Sequence, residues 1–261
     1  MPFALELALD PSTLAILFAV AFIAGFIDAI AGGGGLLTIP ALLTAGLPPH
    51  LVLGTNKLSA TFGSATASYT FYRRRLFEPV VWRRALIGTA IGAAVGALLA
   101  QFMPASWLNQ LLPLVVSACG IYLLFSKVPA KAADEAAEIG RRRQWPQSLS
   151  LGFYDGVAGP GTGAFWTVSS MLLYPLDLLR ASGVARTMNF VSNAVALAVF
   201  IVGGHVAWVL GIGMGLALMM GAYFGARTAI GGGSRFIRPV FILVVLAMSL
   251  RLAWQHWFGA A

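Results

Sequence analysis

With 261 residues, 59% of them apolar and only 10% charged, the chain is too hydrophobic for a soluble globular domain and reads as a polytopic membrane protein. A net charge of +8 does not point to nucleic acid, because the basic residues gather in short loops instead of lining one polar face. The single cysteine, Cys119, excludes an intrachain disulfide and makes redox chemistry a poor reading.

In chain order, the N-terminus carries Glu6 and Asp10 and no basic residue, so it does not read as a cleaved secretory signal. Apolar segments follow at residues 12–31, 52–72, 81–103, 106–126, 147–158, 180–202, 206–230 and 236–257, with shorter pieces at 36–46 and 163–174. Simple counting therefore gives about eight transmembrane helices in an all-α protein. Arginines at 73–75, 83 and 84, basic residues at 127, 131 and 141–143, and arginines at 227, 235 and 238 mark cytoplasmic loops by the positive-inside rule. Trp82, Trp145, Trp208 and Trp257 stand at segment ends and read as interfacial anchors. Residues 127–145 form the one extended polar stretch, a cytoplasmic linker between an N-terminal transmembrane repeat, 1–126, and a C-terminal one, 146–261.

The division into repeats rests on a motif that occurs twice. Residues 24–40 read AGFIDAIAGGGGLLTIP and residues 151–168 read LGFYDGVAGPGTGAFWTV, which aligns Asp28 with Asp155 and Gly32 with Gly159. Further on, Gly54 aligns with Gly183, Lys57 with Arg186, Ser64 with Asn193, Gly92 with Gly221 and Gly96 with Gly225. An internal duplication explains this register. The loop at Arg73–Arg84 is basic whereas its counterpart Gly203-Gly204-His205 is not, and one loop later the asymmetry reverses, so the two halves are expected to have inverted topology. Residues 147–175 must then begin and end on the cytoplasmic side. At about 1.5 Å per residue they are too short for two full passes, which predicts a re-entrant hairpin broken at its glycines. In the first half, residues 12–31 are long enough to span, and by symmetry they also fit a re-entrant arm. A parallel eight-helix arrangement is the alternative if the loop charges mislead.

Charges inside apolar sequence cost about 2.5–3.5 kcal/mol on insertion scales and are functional candidates by default. Here they are Asp28, Lys57, Asp155 and Arg186. One cation per repeat, with helix N-termini and backbone N–H groups at Gly33, Gly34, Gly35, Gly161 and Thr162, suits a small oxyanion held between the halves. Asn56 and Asn193, with Thr55, Ser59, Thr187 and Asn189, are further hydrogen-bonding candidates that serve equally well between helices. Lys57 and Arg186 have a second reading as snorkelling residues or as partners of the two aspartates. Asp28 and Asp155 read as organisers of the glycine runs or as proton-coupling carboxylates. The four consecutive glycines lack the Lys-Ser/Thr of a nucleotide loop, and the histidines are scattered, so neither a nucleotide nor a metal site is expected.

The stretches GFIDAIAGGGGLLTIPALL and GTNKLSATFGS, with second copies GFYDGVAGPGTGAF and GVARTMNFVSN, closely resemble the TauE/SafE sulfite exporter family. The resemblance runs from about Leu14 to Leu252 and implies a multi-pass inner-membrane permease for sulfite or an organosulfonate. The second copy departs from it at Pro160, Thr162 and Arg186. The expectation is thus a secondary transporter in the lipid bilayer, with a small anion as substrate and protons as a possible coupling ion. No enzymatic activity, cofactor or nucleic-acid partner is expected. Two rivals are a cation-coupled transporter with Asp28 and Asp155 as its ion site, and an intramembrane hydrolase built on the same aspartates as a pair.

Overall fold

The computed structural model describes residues 9–108, 110, 114, 140 and 142–232, and among them the regular structure is entirely helical. The order is α1 (Pro11–Ala31), α2 (Gly35–Thr44), α3 (Pro49–Arg73), α4 (Arg83–Phe102), α5 (Gln144–Val157), α6 (Thr162–Leu173), α7 (Leu178–Val202) and α8 (Trp208–Gly232). The segments predicted at 106–126, beyond its first helical residues, and at 236–257 lie outside the described residues. So do Cys119, Arg235, Arg238, His256, Trp257 and most of the linker 127–145.

Local chemistry sets several boundaries. Asp10 caps α1, accepting from the Thr13 backbone N–H at 2.9 Å and its hydroxyl at 2.7 Å, with Pro11 next at the position where its missing N–H costs nothing. Asp177 caps α7 in the same way, accepting from the Arg180 N–H at 2.7 Å. Helix α3 starts at Pro49, a few residues before its apolar run, because proline is at home in a first turn.

Helices α1, α4, α7 and α8 are long and apolar enough to cross a membrane. Helix α3 equals α7 in length at 25 residues, but Thr55, Asn56, Lys57 and Ser59 make it more polar and bury that polarity in the interior. The outward faces are apolar instead. Ile87, Ile91, Val95 and Leu98 of α4, and Val209, Ile212, Leu216 and Met220 of α8, are exposed, as a surface against acyl chains requires. Tryptophan behaves unevenly. Trp145 and Trp208 are exposed at helix ends as anchors should be, whereas Trp82 is buried, edge-on to Tyr174 at 4.9 Å, because the loop after α6 folds over it.

Close helix packing without a hydrophobic drive between helices needs small residues at the contact. A Cβ on Gly92 would lie 2.4 Å from the carbonyl oxygen of Leu149, and one on Gly96 2.2 Å from that of Phe153, so α4 and α5 touch backbone to backbone. Gly221 and Gly225 of α8 meet the carbonyls of Phe22 and Phe26 of α1 in the same manner, at 2.0 and 2.4 Å. These are the sequence-aligned positions of the opposite half. A third pair repeats the exchange. Gly54 of α3 abuts the His205 carbonyl after α7, and Gly183 of α7 abuts the Leu76 carbonyl after α3. Helices α3 and α7 cross each other in opposite senses, since Gly54 lies by Phe200, Lys57 by Asn193 and Ser68 by Thr187.

Candidate functional site

The breaks between α1 and α2 and between α5 and α6 bring the two glycine runs into contact. Gly32 (φ 79°), Gly159 (φ 88°) and Gly161 (φ 77°) sit in the left-handed region, where only glycine is free of strain. The Ala164 N–H donates to the Gly32 carbonyl at 3.0 Å, and a Cβ on Gly32 would stand 2.4 Å from the Gly163 carbonyl carbon. Gly35 and Gly163 lie in the first turns of α2 and α6, where backbone N–H groups have no acceptor within their own helix.

Beside this crossing lies a polar cavity of about 20 Å³, room for about one water. Asp28, Gly34, Gly35, Asn56, Lys57, Asp155, Gly161, Thr162 and Asn193 line it, which gathers most of the residues singled out from sequence. Gly33 does not line it. Its carbonyl instead accepts from the Leu36 N–H at 3.0 Å, closing the turn that starts α2. Arg186 does not line it either; its guanidinium lies behind, against Gly32 and Gly163.

Lys57 is 1% exposed and saturated with acceptors. Its ammonium forms an ion pair with Asp155 Oδ1 at 2.9 Å and also donates to the Asp155 carbonyl and, at 3.0 Å, to Asn193 Oδ1. Asp155 is completed by two hydroxyls. Thr162 Oγ1 donates to Oδ1 at 3.2 Å, and Ser192 Oγ donates to Oδ2. Asp28 is held differently, by the Gly34 backbone N–H at 3.0 Å and the Asn189 side-chain amide at 3.4 Å.

Arg186 is fully buried, yet only one nitrogen is used: Nη2 donates to the Gly163 carbonyl at 3.3 Å. Among the described residues Nε and Nη1 have no hydrogen-bond partner, and no ion pair forms with Asp28. Among the described residues it is a buried cation without a counter-ion in contact. Each aspartate has its own set of donors.

The other polar candidates act between or within helices. Thr55 Oγ1 accepts from the Ala207 N–H at 3.0 Å, the Thr187 hydroxyl meets that of Ser68 at 2.9 Å, and Ser59 donates to the Asn56 carbonyl at 3.1 Å. Sequence reasoning missed Thr38, whose hydroxyl donates to Asn56 Oδ1 at 2.6 Å, and Ser192, Gly159, Gly163, Ala60 and Leu218. Gly159 and Gly163 belong to the repeated motif, so that signal was present. The others carried none.

Residues 17–252 match the sulfite exporter TauE/SafE family. The chain belongs to that family. Relatives along almost the whole TauE/SafE chain include a protein of Haemophilus influenzae called a probable membrane transporter protein, 40% identical over 94% of this chain and 96% of its own length. The probable membrane transporter protein YfcA of Escherichia coli K12 is 38% identical over 96% of each chain. A Sinorhizobium protein, probable membrane transporter protein ORF9, is 41% identical over 92% of each. No solved structure matches. This TauE/SafE member is therefore a multi-pass membrane transporter of the plasma membrane and not an enzyme.

Proposed function

We propose that the protein is a secondary permease for a small oxyanion of the sulfite or organosulfonate class, moved by alternating access through the cavity between its halves. The observation that carries this reading is the crossing of two glycine runs beside two buried cations, Lys57 of α3 and Arg186 of α7. Short backbone approach and first-turn N–H groups favour an anion, the Lys57 ammonium supplies a point charge in the cavity lining, and the Arg186 guanidinium adds a second cation behind the glycine crossing. The family's description as sulfite exporters supplies the substrate class.

On this reading the halves, 1–126 and 146–261 joined by a cytoplasmic linker at 127–145, are inverted repeats. Each has a glycine-broken re-entrant arm plus three spanning segments. The exchanged glycine contacts support it, because a two-fold relation makes each half place the same residue against the other. The opposed crossing of α3 and α7 supports an axis in the membrane plane, since such an axis reverses the helices it relates. With room for about one water, the cavity represents an occluded state that widens when an anion enters.

The cation-site rival is weakened because the Lys57 ammonium already occupies Asp155, and Asp28 is satisfied by neutral donors. Proteoliposome flux of sulfite and methanesulfonate tests the proposal. Correctly inserted Lys57→Met and Arg186→Met variants lose at least tenfold in flux; normal flux in both refutes it.

A further inference from the structure

Resting on the permease reading, we propose that Asp155, and not Asp28, couples transport to protons: one proton is taken up on its carboxylate for each monovalent anion that replaces it at Lys57. The reasoning begins with charge. Lys57, Asp28 and Asp155 line the cavity and Arg186 lies behind it against Gly32 and Gly163, so that among the described residues two cations and two carboxylates sum to zero. An added anion leaves one uncompensated negative charge in a medium where such charge is strongly penalised. A proton removes it.

The two carboxylates are not equivalent acceptors for that proton. Asp155 holds the Lys57 ammonium directly, so an incoming anion competes with it for the same cation. Its other partners are the hydroxyls of Thr162 and Ser192. A hydroxyl both donates and accepts, so each can turn to receive the proton of a neutral carboxyl without moving its oxygen. Asn193 Oδ1 continues to accept from Lys57 and keeps the ammonium in place. Asp28 is bound by an N–H and an amide NH₂, which donate only, and its partners need not release it when an anion arrives.

Among the described residues the charged groups on the elements packed around Asp155 are few. Helix α3 contributes Lys57, α1 contributes Asp28 and α7 contributes Arg186, while α4 faces α5 with Thr89 and small residues and keeps Arg83 and Arg84 in its first turn. The exchange is balanced. The ion pair of ammonium and carboxylate plus an anion and a proton gives an ammonium–anion pair and a neutral carboxyl, and release on the other side reverses it.

Reconstituted protein in vesicles containing a pH-sensitive dye, given a gradient of methanesulfonate, tests this. That anion carries no titratable proton near neutral pH. The wild type is expected to acidify the lumen during uptake at one proton per anion and to be insensitive to a clamped membrane potential. Asp155→Glu keeps the coupling, whereas any flux left in Asp155→Asn carries no proton and responds to voltage. Wild-type methanesulfonate flux without proton movement overturns the inference and leaves the permease reading standing, as does proton-coupled flux in Asp155→Asn. No flux of methanesulfonate or sulfite in the wild type overturns both. The wild-type stoichiometry decides the question even if Asp155→Asn does not fold.

Discussion

Lys57 and Arg186 each stand ninth in a 25-residue helix, yet Lys57 is neutralised by Asp155 and, among the described residues, Arg186 has no carboxylate in contact. Sequence-aligned positions of the two halves thus hold a paired cation and, among the described residues, an unpaired one. The partners are unequal because Asp155 reaches across to Lys57, while Asp28 accepts from the Gly34 N–H of its own glycine run.

This asymmetry predicts opposite stability effects. Lys57→Met strands a buried carboxylate and should cost about 3–5 kcal/mol, whereas Arg186→Met removes a buried, under-partnered charge and should be neutral or stabilising. Thermal unfolding in detergent compares them. Equal losses in the two variants would contradict the assigned pairing.

Occupancy by an anion should stabilise the wild type and not Arg186→Met. At a concentration about 100-fold above its dissociation constant, a ligand specific to the folded state adds about 2.7 kcal/mol. Sulfite, methanesulfonate and chloride, compared by thermal shift, should separate into binders and a non-binder. A uniform response to all three would point to ionic strength alone.

The reciprocal contacts of Gly54 and Gly183 predict matched defects. A methyl at either position would press on a backbone carbonyl, at 1.9 Å for His205 and 2.5 Å for Leu76. Gly54→Ala and Gly183→Ala should each cost about 1–3 kcal/mol by overpacking, measured by denaturant unfolding. A defect in only one would argue against equivalent interfaces.

In a Cys119→Ser background, cysteines introduced at Arg74 and Val202 should react with an impermeant thiol reagent from opposite faces of the membrane. Both residues lie at the ends of 25-residue helices, and Val202 is 91% exposed. Labelling from the same face would exclude inverted repeats.

His205, in the loop between α7 and α8, predicts a pH effect. Burial, and then the nearby His50 stacked at 5.0 Å, hold its pKa below the ordinary value of 6.5. The unfolded chain therefore binds this proton more readily than the folded one. The stability associated with neutral His205 is complete above pH 6.5 and is lost as pH falls from there through the lowered folded value. A melting-temperature series across mildly acidic pH should show a decline that His205→Gln flattens. An unchanged slope in the variant would assign the decline elsewhere.

Sequence alone determined the membrane class, most of the helices among the described residues, the recurrence of the glycine motif and the candidate cations, because these follow from apolar length, glycine breaks and the cost of charge in hydrocarbon. It also located Gly34, Gly35 and Gly161 of the cavity, while naming Gly33, which does not line it, and passing over Gly159 and Gly163. The tertiary structure decided the pairing. Asp155 meets Lys57 across 98 positions, and Thr38 and Ser192 complete polar contacts that no local pattern announced. Repetition copies local chemistry into both halves, but which charges touch depends on the way helices cross, and that is set by packing between segments distant in the chain.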